Sequence, residues 1–521
     1  MNTKLFKQLM ALATMTLGAS HQAFAEFGAG SNTFATATAI TSESDFSAST
    51  NLTAFSSENG EPGHGPGAEP GALKTAWWTW TATQTGYCTV DTMRSVTGVN
   101  AVSDTVLAVY AGNAVNNLAL LAQNDDFKVG DLTGAGRLSS VSFYAVKNSV
   151  YRVAVDGYGP SDITASTFNV VLRLRLLPLK VLTRSAVFAT GAGASEMGQV
   201  TVTTTAAGSL SGSLIVGAKA YPLAGVFGVD GNYFASFPRV AAVNTPPLLP
   251  ITLQIDGAGN GRYNLAIGTN YASGNLPVKA VFSLQAPNTF AGLYPIIMHP
   301  AADAGGDGVL SITVSATGVA SGTGFAMDGT AITFSSALYE GADSTTALIP
   351  AFKSLLAGKG AFLMNTQIDE KGSIDTISGN GIYLRPVPVP AAAFYPQGIA
   401  TGIAINGSTY LKPAPLLRVL GFLDGTNGMG KLNVINSGAE IAANFSESLT
   451  LSTANKFNFV SLLRKPGLTL TTASGLVSGT ITEPAGKARA IKGVLTQVNG
   501  LPLLRGYVVG AKRNLYFDVT P

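Results

Sequence analysis

"AAGSLSGSL" (Ala206–Leu214), "ATGVASGTG" (Ala316–Gly324) and "ASGLVSGTI" (Ala473–Ile481) share one pattern, A-x-G-x-x-S-G. Each follows a strand-like run, "QVTVTT", "VLSITVS" or "GLTLTT". The first and third lead into another through a Gly-containing turn, "YPLAGVFG" and "RAIKGVLT". The recurring unit is strand–turn–strand. Its glycines (Gly208 and Gly212, Gly318 and Gly322, Gly475 and Gly479) supply backbone angles that other residues adopt poorly. The copies are unevenly spaced, which argues against a regular solenoid.

The rest of the chain has the same texture. At 521 residues it is too long for one core and calls for several domains. The 60 glycines, with recurrent Thr, Ser, Val and Ala, fit many short strands joined by tight turns. Charged residues are only 12% and the net charge is +3, with no basic stripe, so nucleic acid is a poor partner. Cys88 is the only cysteine, so no internal disulfide holds the fold, and it reads as a small buried hydrophobe. Lys4 and Lys7, the short apolar run Leu9–Ser20 and the small-x-small site Ala23–Ala25 read as a cleavable signal peptide over 1–25. The mature chain then begins at Glu26, has no transmembrane helix, and acts outside the cell, at its surface or in the periplasm.

Between Ser31 and Leu176 the strand-length runs are "KTAWWTWTA", "YCTVDT", "TVLAVYAG", "VSFYAV", "VYRVAVDGYG" and "TFNVVLRLRL". In the fifth, Val150, Arg152, Ala154 and Asp156 alternate with Tyr151, Val153, Val155 and Gly157. This is the pattern of a sandwich. "STTALIPAFKSLLAGKG" (Ser344–Gly360) also fits a helical face through Leu348, Ile349, Phe352, Leu355 and Leu356.

The blocks "NTFATATAI", "GEPGH", "AWWTWTA", "DTVLAVYAG", "NDDF", "VSFYAV" and "YRVAVDGYG", in that order, resemble the bacterial PPC-type (pre-peptidase C-terminal) module over about Asn32–Leu174. That resemblance implies a jelly-roll-like sandwich, without catalysis, accompanying secreted enzymes or surface proteins. Some related modules bind calcium, polysaccharide or protein matrices. The remainder, notably Phe290–Thr330 and "LTLTTASGLVSGTI", resembles β-repeat modules at the C-termini of large secreted bacterial proteins. It implies β architecture and export but no transferable chemistry. On this resemblance Ser344–Gly360 is mainly strand.

The expected architecture is therefore all-β: a signal peptide (1–25), a jelly-roll-like β-sandwich (26–178), and tandem antiparallel sandwich or barrel-like modules over 179–289, 290–400 and 401–521. The mature chain has two histidines, His64 and His299, and neither a G-x-S-x-G elbow nor an H-E-x-x-H motif. His299, before Pro300, reads as a strand end. No catalytic residue is assigned.

Two stretches carry binding chemistry instead. Glu61 and His64 lie in a Gly/Pro loop that runs straight into Trp77, Trp78 and Trp80. In a strand, Trp78 and Trp80 point one way and Trp77 the other. The rings either pack the core or leave one face to stack on a sugar or peptide. Asp104, Asn124, Asp125, Asp126 and Asp156 gather oxygen ligands at strand ends and could hold calcium; alternatively they cap turns. The functional expectation is a secreted, non-catalytic protein for surface adhesion or for binding polysaccharide or matrix. The alternatives are a polymer hydrolase using unrecognised carboxylates and an outer-membrane-associated structural protein, which the mean hydropathy of +0.28 invites.

Overall fold

The computed structural model describes residues 27–521 except 66–70, 96–103, 128–136, 160–167, 229–230, 239–247, 256–259, 284, 373, 389–393, 436–439, 442, 461–462 and 484–485. The expected signal peptide lies outside the described residues. The structure is 57% strand and 4% helix, an all-β protein. The chain divides into two compact units, Met1–Leu179 and Lys180–Pro521.

The first unit holds β1 (Thr38–Ala39), β2 (Thr50–Asn51), β3 (Ala76–Thr81), β4 (Gly86–Asp91), β5 (Thr105–Ala111), β6 (Ala119–Asn124), β7 (Ser140–Ala145), β8 (Val150–Gly157), β9 (Asn169–Val170) and β10 (Arg173–Pro178). A five-stranded sheet in the order β1-β3-β8-β5-β6 accompanies a three-stranded sheet β10-β4-β7, and β2 pairs with β9. One core joins Trp78, Trp80, Val109, Tyr151 and Val153 of the larger sheet to Cys88, Val90, Phe143 and Leu174 of the smaller. Burial raises the Cys88 thiol well above its ordinary pKa, as expected of an inert packing residue.

The alternation predicted for β8 is only partly visible in its burial, because both faces of its sheet are covered. Ala154, on the face away from the main core, is buried with Trp77, Phe34, Ala108 and Tyr110. The cover is the chain that precedes β3. It starts from Ser31, whose N–H and C=O bond the Trp77 backbone at 3.1 and 2.8 Å.

The second unit runs in three consecutive blocks. The first comprises β11 (Leu182–Ala189), β12 (Met197–Thr204), β13 (Ser209–Val216), β14 (Lys219–Val226), β15 (Asn232–Pro238), β16 (Leu248–Ile255), β17 (Gly261–Ile267) and β18 (Asn270–Leu276). The second comprises β19 (Gly292–Pro300), β20 (Gly308–Val314), β21 (Val319–Phe325), β22 (Ala331–Ala337), β23 (Tyr339–Glu340), β24 (Thr346–Leu355), β25 (Gly360–Asp369), β26 (Thr376–Arg385) and β27 (Ile399–Ser408). The third comprises β28 (Met429–Ile435), β29 (Phe445–Leu451), β30 (Phe457–Phe459), β31 (Gly467–Leu470), β32 (Leu476–Thr482), β33 (Ala488–Val498), β34 (Leu501–Val508) and β35 (Leu515–Thr520).

The second and third blocks close by a ladder between their first and last strands, and the first only by an isolated bridge. In these two the first strand of the antiparallel run pairs with the last: β19 pairs β27 and β28 pairs β35, giving two nearly closed barrel-like sheets. In the first block two four-stranded sheets, β11–β14 and β15–β18, are linked where Arg184 of β11 bridges Val278, just past β18. Closure of this kind leaves few exposed sheet edges, which a chain without disulfides needs. The boundary expected at 400/401 falls inside β27, which closes the second block on β19. Ser344–Gly360 is strand through Leu355, followed by a single tight turn. Pro350 there faces Asn365 across the ladder, and the helical spacing of the leucines is overridden by pairing with β25.

The repeated motif is the hairpin turn of each block. Thr205 N–H bonds Ser209 O at 2.9 Å, Ser315 N–H bonds Val319 O at 2.9 Å, and Thr471 N–H bonds Leu476 O at 2.8 Å; the third turn is one residue longer. The first glycine of each copy is left-handed, with φ of 85° at Gly208, 75° at Gly318 and 73° at Gly475. The second sits flush against its neighbour. A Cβ would lie 2.1 Å from Thr201 O at Gly212, 2.1 Å from the Phe334 ring at Gly322 and 1.9 Å from Gly467 O at Gly479.

Candidate functional site

The loop ahead of the tryptophans folds back onto its own sheet. His64 is buried and lies edge-on to Trp77, with ring centroids 5.3 Å apart. Its Nδ1 is 2.9 Å from the Tyr110 hydroxyl, and its Nε2 is 3.0 Å from Glu61 Oε1 and 3.1 Å from Thr75 Oγ1. Glu61 also accepts the Glu58 N–H at 2.6 Å. Burial pushes the Glu61 carboxyl up, but the bonds from His64, Thr75 and Glu58 outweigh it and hold the pKa below the ordinary value. Burial, with the nearby Glu61 charge, raises the Tyr110 phenol.

Asp156 completes this anchor. Its carboxylate accepts the backbone N–H groups of Leu73 (2.6 Å), Lys74 (2.8 Å) and Gly157 (2.7 Å), and Thr75 Oγ1 lies at 3.4 Å. Trp77, Trp78 and Trp80 are at most 1% exposed. Trp78 Nε1 donates to Gly28 O at 3.1 Å. A stacked sugar needs an open ring face, and these rings spend both faces on protein.

The acidic residues separate into two groups. Asp104, at the start of β5, meets Asp125 and Asp126, at the end of β6, with one oxygen from each within 4.8 Å of the others. Arg137 Nη1 lies 3.3 Å from Asp104 Oδ2 and offsets part of the charge. Asn124 and Asp156 are scaffold instead. The Asn124 amide donates to Asp126 O at 3.1 Å, while its Oδ1 accepts Ser140 N–H at 2.9 Å. Asp104, Asp125 and Asp126 are thus the three that can hold a cation through carboxylate oxygens. Asp156, its oxygens taken by the loop, stands apart from them.

The second unit places His299 at the end of β19, 55% exposed, with Nδ1 2.6 Å from Oδ1 of the fully buried Asp307. That bond raises the imidazole pKa; burial and Arg505 act in the opposite direction.

A groove of about 810 Å³ opens in the second unit. It forms where residues 277–280 cross between blocks. On one side Lys279 N–H bonds Thr183 O at 2.7 Å; on the other, Ala280 N–H bonds Leu338 O at 2.9 Å and Glu340 N–H bonds Val278 O at 2.7 Å. Asn260, Arg262 and Asn275 line it from β17 and β18, and Glu340 and Asn365 from the second block. These five side chains are exposed. Arg262 and Asn275 stand directly opposite each other across the β17–β18 ladder. Nothing linear announced this site: its residues come from four separate stretches, and the only local signal, polar residues at outward positions of "NGRYN", is common in surface strands.

No protein-family model matches the chain, and no curated protein is significantly similar to it.

Proposed function

We propose that this chain is an exported, non-catalytic β-rich binding protein that engages a polysaccharide or a similar surface polymer through the groove of its second unit. The observation that carries the reading is the groove's lining: exposed amides, a guanidinium and a carboxylate along an open, roughly 810 Å³ channel. Sugar hydroxyls both donate and accept. An Asn amide offers two donors and a carbonyl, and Arg offers a fork of donors, so this set matches a polyhydroxylated ligand. Glycoside hydrolysis needs two carboxyl groups about 5–9.5 Å apart. Among the described residues that line the groove, Glu340 is the one carboxylate, which favours binding over cleavage. The resemblance of the first unit to the PPC-type module agrees with a role outside the cytoplasm.

The test is retention of the mature protein on a panel of insoluble polysaccharides and matrix proteins, with calcium and with chelator. The expected result is retention by at least one polysaccharide, lost in the folded double variant Arg262→Ala/Asn275→Ala. Retention that survives the double variant, or its absence across the panel, overturns the proposal.

A further inference from the structure

The turn between β34 and β35 carries a second site, separate from the groove. The backbone N–H of Ala511 points at Glu440 Oε2 (2.7 Å), that of Lys512 at both Oε1 and Oε2 (3.0 Å each), and that of Arg513 at Oε1 (3.2 Å). Three consecutive amides converging on one anion form a nest. Other contacts fix this turn. Tyr395 N–H bonds Lys512 O at 2.6 Å, and Asn514 N–H bonds the Tyr395 hydroxyl at 3.1 Å. The Asn514 amide reaches Met327 O at 2.8 Å, and the Arg513 guanidinium reaches Asp303 O at 2.7 Å. None of these four contacts involves Glu440, so the nest is organised independently of its occupant. Glu440 is half-buried, and among the described residues its carboxylate is bonded by those three amides. Beside it opens a cavity of about 390 Å³ in which Asp303, Gln397, Lys512 and Arg513 stand among apolar alanine, proline and isoleucine residues.

We propose that the nest at residues 511–513 is an anion site for the carboxylate of an acidic sugar, with Glu440 as its displaceable internal occupant. The present occupant shows which anion fits: each of two coplanar oxygens takes two N–H groups, which suits a carboxylate better than a tetrahedral phosphate. A uronate seated there projects its ring and hydroxyls into the cavity, toward Gln397, Asp303 and the exposed Lys512. Exchanging one carboxylate for another keeps the local charge unchanged.

The experiment titrates the full mature chain and its Glu440→Ala variant with D-glucuronate, D-glucose and inorganic phosphate, following the amide resonances of 510–514. An internal competitor lowers apparent affinity by the fraction of molecules in which it is absent. The variant is therefore expected to bind glucuronate at least ~10-fold more tightly than the unmodified chain, with no response to glucose and a weaker one to phosphate. A folded variant that ignores glucuronate, or prefers phosphate, overturns the proposal. So does loss of order at 510–514 in the variant, which would make Glu440 the cap that builds the turn. In the unmodified chain millimolar glucuronate is expected to shift the 511–513 amides where glucose does not, and the lack of that shift is also fatal. Retention through the groove is unaffected by this variant, so the two readings fail separately.

Discussion

Replacing Asp156 by Ala removes the anchor of the loop that precedes the tryptophan strand. Three backbone N–H groups lose their acceptor, those of Leu73, Lys74 and Gly157 at 2.6–2.8 Å. A hydrogen bond to a charged group contributes about 1.5–3 kcal/mol, and a buried donor left unmade costs a similar amount. Gly157 is buried and bears that cost in full. Leu73 and Lys74 are half-buried and regain water once the loop lifts. The expected destabilisation is therefore about 3–5 kcal/mol rather than the simple sum of the three bonds. For a unit of this size each kcal/mol moves Tm by roughly 2–4 °C, so the first unit's transition falls by about 10 °C. Calorimetry on the full chain reads the shift, and amide exchange at residues 73–75 reports the loop. A fall of less than ~2 °C, with those amides still protected, would refute the view that this carboxylate holds the loop down.

Three further outcomes are expected. A cation held by Asp104, Asp125 and Asp126 binds only the folded unit, so millimolar calcium raises its Tm and Asp125→Asn abolishes the rise; an unchanged Tm would leave Arg137 as the group that balances Asp104. Gly318→Ala costs about 2–3 kcal/mol in chemical denaturation, because its left-handed backbone resists a side chain and the new Cβ would lie 2.4 Å from the Phe282 ring. Gly486→Ala, with φ of 85° but open space around it, costs only ~1 kcal/mol, and equal losses would contradict the steric part of the argument. By NMR, His299 titrates above 6.5 and returns toward that value in Asp307→Asn. Because its folded pKa is the raised one, the stabilisation is complete below about 6.5 and lost as pH rises through the folded pKa; a lowered midpoint would contradict the pairing.

Local rules made most strands legible. The runs around Trp77–Trp80, Tyr87–Thr92 and Thr105–Gly112 are β-branched and aromatic between turn residues, and each is a strand. The A-x-G-x-x-S-G turns were visible because a left-handed hairpin position admits little but glycine. β6 is not legible: "ALLAQN" is an edge strand with no buried residue, so neither alternation nor β-branching marks it. The closure of the second and third blocks by their first and last strands was also invisible, since it pairs residues a hundred or so positions apart. The side-chain sites divide the same way. "NDD" was a local charge problem, and it does converge with Asp104. Asp156 looked equivalent by type, but only the folded chain brings the N–H groups of Leu73 and Lys74 to it.

The same distinction bears on where a ligand binds. A polar group that already has its partners gains little from a new one unless the ligand brings the same kind of group in exchange, because each bond made to a ligand must first be broken within the protein. In the first unit both ring nitrogens of His64 and both oxygens of Asp156 are committed to the loop. The tryptophans beneath have no open face. A ligand there would have to lift the loop and expose Trp77, opposing the burial that holds the unit together. In the groove of the second unit Arg262, Asn275 and Asn365 are exposed, and among the described residues their side chains make no hydrogen bond. Arg262 and Asn365 stand on strands with ladders on either side and Asn275 on the neighbouring edge strand, so little ordering entropy is lost on binding. The loop that looked most like a site in the sequence is rich in chemical groups because it must hold itself onto a sheet. The groove, whose residues are individually ordinary, is where hydrogen-bonding capacity remains to be used.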